Sequence, residues 1–209
     1  VGGVPTPFAT KALLGLGSSR HSGGSPTSKM EYRQFQITYP FWEFTSDFAA
    51  GLPAGTAVYG NATAGAGVLK ITDAVNGQNG SFVINDFTGG HTVSRFVARF
   101  QVRLADSACC DNGLRPADGC SFNVANNLPD AVFGPAMACC GPEDGGGNGL
   151  TVSFDAWDNG PGNDTDAPSI EVINAGLVKA TVSMDGTREG GRAPLTAIPT
   201  DPATGQPMT

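Results

Sequence analysis

Oxygen-bearing side chains follow a short strand-like pattern in the C-terminal half of the chain. Residues 153–157 read Ser-Phe-Asp-Ala-Trp, and Asn159 and Asp164 follow in a loop rich in Gly and Pro. Because side chains alternate between the faces of a strand, Asp155 and Trp157 point to the same side. Two carboxylates, an amide oxygen and a backbone carbonyl form an all-oxygen set, which is what Ca²⁺ prefers. The spacing predicts a calcium site, and an ordinary Asp/Asn/Gly turn is the alternative.

Acidic residues are concentrated around this loop. The chain has 12 basic and 19 acidic residues and a formal net charge of −7. Residues 111–166 hold nine of the acids and one base, Arg115, so this window carries −8 and the rest of the chain +1. Such a window repels a phosphate backbone, which argues against a nucleic-acid partner. It is typical of a solvated face, a hard-cation site or paired carboxylate catalysis.

Cysteines and glycosylation sequons favour an extracellular setting. The five disulfide candidates are Cys109, Cys110, Cys120, Cys139 and Cys140. Two vicinal pairs in a Gly- and Asp-rich region are typical of disulfides that stabilise loops in an oxidising compartment. The odd number of cysteines leaves at least one thiol free or paired with another chain. Three Asn-x-Ser/Thr sequons, at Asn61, Asn79 and Asn163, are candidate glycan acceptors or chance matches.

The elements that must position these residues are predicted to be β-strands. Residues 93–104 alternate strictly, with Phe96, Ala98, Phe100, Val102 and Leu104 on one face and mostly Arg and Gln on the other. Further strand-like runs cover residues 67–73, 81–85, 120–125, 150–156, 169–174 and 177–184. Helical periodicity with caps is absent, and Gly and Pro together make 45 residues. The sequence predicts an all-β chain of two packed antiparallel sheets, without a membrane span.

Composition divides the chain into three parts. Residues 1–30 are rich in Gly, Ser, Pro and Thr, with one short apolar patch at residues 12–14, and read as an N-terminal arm outside the core. Residues 31–184 carry the strand pattern. Residues 185–209 are polar and rich in Pro and Gly, which is typical of a tail or of a link to further strands.

Three motifs, in order, resemble those of the L-type (legume-type) lectins and their concanavalin A-like jelly-roll superfamily. The first is Ala117-Asp118-Gly119 before a strand, and the second is the glycine loop at residues 145–149. The third is the calcium loop described above, followed by a strand at residues 168–172. The resemblance spans roughly residues 96–184 and implies an antiparallel β-sandwich with jelly-roll topology.

The resemblance also implies a carbohydrate-binding site. The family's four calcium ligands correspond to Asp155, the Trp157 carbonyl, Asn159 and Asp164. In this comparison Asp118 and Asn159 accept hydrogen bonds from sugar hydroxyls, and a backbone amide of Gly146 or Gly147 donates another. Trp157 offers an aromatic face to the sugar ring, or it belongs to the core. Asp118 is equally well read as a turn carboxylate.

Two departures from the family pattern argue against a transition-metal site and against glycosidase activity. The family's second, transition-metal site uses a Glu and a His where this chain has Ser153 and Ser169, so the resemblance implies that this site is lost. Related glucanases carry Glu-x-Asp-x-x-Glu on the corresponding strand, and this chain reads Ser153-x-Asp155-x-x-Asp158. Because serine cannot act as the carboxylate nucleophile of a glycosidase, we expect a protein that binds glycans without catalysis.

A third departure is that family members continue with further strands where this chain becomes polar. The sandwich is therefore expected to be incomplete at its C-terminal side, and incomplete sheets accept strands from neighbouring chains. The alternative function is a structural or adhesive subunit of a surface layer or filament. In that alternative, homo-oligomers form by strand exchange through the N-terminal arm.

Overall fold

The described residues fold into β-strands joined by tight turns. The computed structural model describes residues 11–16, 29–39, 42–75, 77–85, 93, 95–105, 119–133, 142–156 and 169–183. The strands are β1 (Lys11–Leu16), β2 (Lys29–Tyr39), β3 (Trp42–Ser46), β4 (Thr56–Gly60), β5 (Thr63–Gly65), β6 (Val68–Thr72), β7 (Gly80–Asn85), β8 (Val97–Ala105), β9 (Gly119–Val124), β10 (Leu150–Asp155), β11 (Ser169–Asn174) and β12 (Leu177–Ser183). A single 3₁₀ turn, Pro142–Asp144, is the only helical element of these segments. The predicted all-β antiparallel class is confirmed.

Seven strands form the larger sheet, in the order β12-β11-β10-β9-β1-β7-β4. Every pairing in it is antiparallel. β1 lies inside this sheet, between β9 and β7, with Leu13 opposite both Asn123 and Val83. The expectation that residues 1–30 form an arm outside the core is therefore wrong for Lys11–Leu16, which supply an internal strand to their own chain.

The smaller sheet is organised by the long strand β2. β8 pairs with β2 along residues 29–38, while β6 and β3 pair with the first and second halves of its opposite edge. β5 extends the sheet beyond β6. The side chains of β8 alternate as predicted, with Ala98 and Phe100 packed against the core and Arg99 exposed.

Aromatic side chains fill the space between the two sheets. Phe35 of β2 is fully buried, and its ring stacks on Phe100 at a centroid distance of 5.4 Å. The same ring meets Phe82 and Phe122 of the larger sheet at 6.4 and 6.5 Å. Pairs of this kind add to the free energy gained by burying apolar area, by about 0.5–1.5 kcal/mol each. The two sheets are thus held face to face by one aromatic cluster, in the manner of a β-sandwich.

The jelly-roll connectivity of this sandwich stays a prediction. Residues 1–10, 17–28 and 184–209, which include most of the predicted arm and the predicted tail, lie outside the described residues. Across the described part of the chain, no helix has the length and apolar character that a membrane crossing requires.

Candidate functional site on the outer face of the seven-stranded sheet

The outer face of β9, β10 and β11 is polar although it is buried. Val152 and Phe154 point to the core, so their neighbours Thr151, Ser153 and Asp155 point outward. Each outward residue of β10 is flanked by residues of β9 and β11. The opposed sets are Gly119–Asp155–Ser169, Ser121–Ser153–Glu171 and Asn123–Thr151–Ile173. All of these side chains are at most 5% exposed.

Two further acids cover this face. The 3₁₀ turn Pro142–Asp144 packs on β9, β10 and β1, and it buries both Glu143 and Asp144. Gly119 makes this approach possible, because a Cβ atom there would lie 2.4 Å from the Phe154 carbonyl oxygen and 3.1 Å from the Glu143 Cβ. Glu143 therefore packs over Gly119, which lies opposite Asp155 in the neighbouring strand. The acids of this face are Glu143, Asp144, Asp155 and Glu171, and Glu171 accepts a hydrogen bond of 3.0 Å from the Thr181 hydroxyl.

The glycine loop is tied to this face through the Asn123 side chain. Asn123 Oδ1 accepts hydrogen bonds from the Gly146 amide at 3.0 Å and from the Thr151 hydroxyl at 2.6 Å. Its Nδ2 donates to Ser121 Oγ at 3.0 Å. Asn123 is not among the predicted site residues, and the only sequence signal is an amide that alternates with the apolar residues Phe122 and Val124 of β9.

This anchoring changes the predicted role of the loop. Gly146 is buried and its amide already donates to Asn123, so it does not offer the free donor that the resemblance implies. Gly147 is only partly buried, with a φ of +81°, and packs against the loop that carries Ala125 and Leu128. Of the two predicted amide donors, Gly147 is the one that stays a candidate.

Asp155 lies at the end of this face opposite the glycine loop. It is four residues along β10 from Thr151, a distance of about 13 Å in an extended strand. The other predicted ligands and sugar contacts, Asp118, Trp157, Asn159 and Asp164, lie outside the described residues. Within the described segments, no three His, Cys, Asp or Glu side chains are close enough to share a metal ion. The predicted calcium set thus has one described member.

Two hydroxyl groups next to the acids are buried without a hydrogen-bond partner. Ser153 Oγ and Ser169 Oγ are both fully buried, and neither has a hydrogen-bond partner among the described residues. Ser169 lies directly opposite Asp155, and Ser153 directly opposite Glu171. Buried hydroxyls are normally hydrogen-bonded, because leaving one unsatisfied costs roughly 1–3 kcal/mol. This corner of the face therefore holds two oxygen atoms that no hydrogen bond within the described segments uses.

Cys120 lies on the reverse side of β9, in the core. It is a fully buried free thiol, so the structure does not pair it in a disulfide. Burial raises the pKa of Cys120 to about 12; the neighbouring Tyr32 hydroxyl lowers it, and the charges of Glu143 and Asp155 raise it further. Burial also raises the pKa of Tyr32 well above its usual value. The other cysteines, Cys109, Cys110, Cys139 and Cys140, lie outside the described residues.

Two of the three sequons meet at one turn. Asn61 and Asn79 are exposed, and the backbone amide of Asn61 donates to the backbone carbonyl of Asn79 at 2.8 Å. The Asn79 amide donates in return to Asn61 Oδ1 at 3.2 Å. Ser81, the third residue of the second sequon, is buried and donates to the Ala131 carbonyl at 2.9 Å. Asn163 lies outside the described residues.

Comparisons of the chain with protein-family models, with curated proteins and with solved structures found no match.

Gly145→Ala tests whether the glycine loop must lie close to Asn123. A Cβ at Gly145 would lie 2.2 Å from Asn123 Oδ1 and 2.4 Å from Thr151 Cγ2, and φ is +75°. The control is Gly51→Ala, where φ is +94° and no atom lies within 4 Å of the added Cβ. Both variants carry backbone strain, and only Gly145→Ala adds overlap. We expect Gly145→Ala to lower the free energy of unfolding by about 1–3 kcal/mol more than the control, as measured by urea denaturation. Equal losses would contradict the packing of this loop.

Cys120 should make the folded chain less stable at high pH. Since the thiol's pKa is about 12 in the folded chain and its ordinary value is 9.0, its contribution is complete below pH 9. The contribution is then lost as pH rises toward 12, by up to about 1.4 kcal/mol per pH unit. Cys120→Ala should show a shallower fall in the free energy of unfolding between pH 9 and 11, with the Tyr32 contribution remaining. Identical slopes for the two proteins would contradict the burial of this thiol.

Proposed function

We propose that this chain is an extracellular, non-catalytic carbohydrate-binding domain whose site is organised by calcium. The ligands would be Asp155, the Trp157 carbonyl, Asn159 and Asp164. Asp118 and Asn159 would bind sugar hydroxyls, with the Gly147 amide as donor and Trp157 as apolar contact. The resemblance to L-type lectins supplies these roles.

The position of Asp155 is the observation that carries the proposal. Its carboxylate is buried at the end of β10, where the chain enters the predicted calcium loop. Directly opposite stands the Ser169 hydroxyl, which is fully buried and has no partner among the described residues. Hard cations such as Ca²⁺ take oxygen ligands from carboxylates, carbonyls and waters. A buried carboxylate at the start of an acidic loop supports the proposal of this ion.

The absence of catalysis in this proposal rests on Ser153. It occupies the outward position of β10 two residues before Asp155, where the related glucanases place a carboxylate. Its fully buried hydroxyl lies between Ser121 and Glu171. A retaining glycosidase needs two carboxyl groups about 5–5.5 Å apart on either side of the sugar bond, with one acting as nucleophile. Serine cannot fill that role.

Asp155→Asn tests the calcium site. With the wild-type chain, we expect calcium to raise the melting temperature. We also expect the chain to bind glycans on an array of neutral sugars in the presence of calcium, and a chelator to abolish this binding. Asp155→Asn should lose both effects, because an amide is a weaker calcium ligand than a carboxylate. Asp73→Asn, which alters a carboxylate paired with Lys70 on the other sheet, is the matched control and should keep both.

Calorimetric titration of calcium distinguishes loss of the site from misfolding. Asp155→Asn should remain folded by circular dichroism and bind calcium at least about ten-fold more weakly. Wild-type protein that binds no calcium would overturn the proposed site. Calcium binding without any glycan binding would leave the structural alternative as the better account.

That alternative, a self-assembling structural or adhesive subunit, is favoured by an apolar strip on the inner face of β11 and β12. The apolar row from Phe154 continues through Ile170 to Val182, which is 62% exposed. The ring centroids of Phe100 in β8 and Phe154 in β10 are 6.3 Å apart, and β8 is the last described strand of the smaller sheet on this side. Among the described strands, the larger sheet therefore continues past the edge of the smaller sheet that covers it. Three of the six large exposed apolar residues of the described chain lie in β12.

Val182→Asp tests this alternative, in which a second copy of the chain covers the strip. If it does, the wild-type chain should be a dimer or larger at micromolar concentration in analytical ultracentrifugation, and Val182→Asp should be monomeric, because a buried unpaired charge opposes association. Val75→Asp, at a loop residue that is 52% exposed, should leave the assembly unchanged. A wild-type monomer at all concentrations would exclude this account.

A further inference from the structure

The outer face of the smaller sheet gathers the arginines of the described chain. Arg33 of β2, Arg99 and Arg103 of β8, and Arg95 two residues before β8 are all exposed, and they are the only arginines that the described segments contain. The inward packing of Ala98, Phe100 and Val102 fixes the orientation of Arg99 and Arg103, because neighbouring side chains of a strand point to opposite faces. We infer that this face is a second carbohydrate site, which binds glycans bearing carboxylate or sulfate groups and does not depend on the proposed calcium site.

The register places the guanidinium groups in a line with one lateral branch. Arg99 and Arg103 are four residues apart in β8, or about 13 Å along a strand, and Arg95 precedes the strand by two residues. Arg33 lies directly opposite Gln101, between Arg99 and Arg103. Diagonal neighbours on adjacent strands are about 7–8 Å apart at Cα, within reach of a common ligand for side chains of this length. The arrangement suits an extended polymer with repeated negative groups.

Most of these positive charges are not neutralised by the face itself. Arg103 is paired with Glu31, with Nη1 of the arginine 3.3 Å from Oε2 of the glutamate. The other acids of this sheet and its loops have polar partners of their own: Glu43 accepts from the Gln36 amide and the Thr45 hydroxyl, Asp73 pairs with Lys70, and Asp47 accepts from the Ala49 backbone amide. The structure gives Arg33, Arg95 and Arg99 no ion pair with any described residue. An exposed guanidinium can bind carboxylate or sulfate in a bidentate manner.

A shallow cavity beside Arg33 provides room for a sugar ring. It has a volume of about 270 Å³ and is lined by Arg33, Asp47, Gly67 and Gln101. Asp47 would repel an anionic substituent but accept hydrogen bonds from sugar hydroxyls, whereas Arg33 attracts the anion. The two charges thus orient a sugar that carries both kinds of group. Gln101 adds an amide that can donate to either.

Acidic glycans fit this face better than nucleic acids do. Proteins that bind single-stranded nucleic acids usually stack bases on exposed aromatic rings. The described outward side chains of β2 and β8 include Gln, Glu, Val and Arg, and no aromatic ring. The chain as a whole carries −7, which opposes a long phosphate backbone. Nucleic-acid binding is therefore the contradicting outcome of the test.

The test measures binding of the full chain to labelled oligosaccharides by fluorescence anisotropy, in low salt with chelator present. The probes are a sulfated heparin oligosaccharide, a carboxylated oligogalacturonate and a neutral maltooligosaccharide. We expect one or both acidic probes to bind and the neutral one not to bind. The double variant Arg33→Gln/Arg99→Gln should weaken that binding at least about ten-fold, because it removes two charge-assisted contacts.

Two controls separate this site from nonspecific charge and from the calcium site. Lys179→Gln removes an exposed positive charge from β12 of the other sheet and should change the affinity less than about two-fold. Asp155→Asn should not alter it. Equal losses with Lys179→Gln, absence of acidic-glycan binding, or tighter binding of oligothymidylate that the same double variant abolishes would each overturn the inference. Calcium-dependent binding of neutral sugars is a separate readout, so either proposal can fail alone.

Discussion

The hydrogen bonds of the Asn123 side chain are the constraint on which the outer face of the larger sheet depends. A fully buried amide must satisfy both its oxygen and its nitrogen, or its burial costs free energy. Asn123 does so by binding the Gly146 amide, the Thr151 hydroxyl and the Ser121 hydroxyl. These contacts join β9, β10 and the glycine loop into one unit. The loop can approach so closely only because Gly145 and Gly149 have no side chains to meet Asn123 and the β9 backbone.

The outer faces of the two sheets carry different groups of charged residues. Buried acids occupy the outer face of β9 to β11, while exposed arginines occupy the outer face of β2 and β8. The aromatic core around Phe35 lies between them, and packed sheets are about 10 Å apart. Strand alternation alone produces this arrangement, because each strand places one set of side chains in the core and the other outside. The acids of the larger sheet and the arginines of the smaller sheet therefore lie on opposite outer faces, with the core between them.

The sequence predicted those elements whose pattern is local. Strict alternation around Phe100 indicated β8, and the predicted run at residues 169–174 coincides with β11. β1 was assigned to an arm because three apolar residues among Gly and Ser carry little local signal. It exists as a strand through pairing with residues about 70 and 110 positions away, in β7 and β9. Such pairing is a tertiary effect that a local window does not contain.

The site could be predicted in part, for the same reason. Period-two alternation predicts that Ser153 and Asp155 share one face of a strand, and the structure confirms this and shows that the face points outward. The cover supplied by Glu143 and Asp144 could not be read from the chain, since a three-residue 3₁₀ turn has no periodicity. The commitment of the Gly146 amide to Asn123 depends on two segments 23 residues apart. A family motif gives the residue types of a loop, but the hydrogen bonds that use its amides are fixed only by tertiary packing.

The outer face of the larger sheet is covered in two different ways. On its β4 and β7 side, Val83 packs beneath Ala125, Leu128 and Phe133, an ordinary apolar cover. On its β9 to β11 side, the equivalent positions hold hydroxyls and carboxylates, including two hydroxyls without a hydrogen-bond partner among the described residues. Replacing buried charged groups by well-packed apolar ones is often neutral or stabilising. Burial of apolar area therefore explains the first half of the face, whereas the polar half would be explained by the proposed binding of a ligand through oxygen atoms.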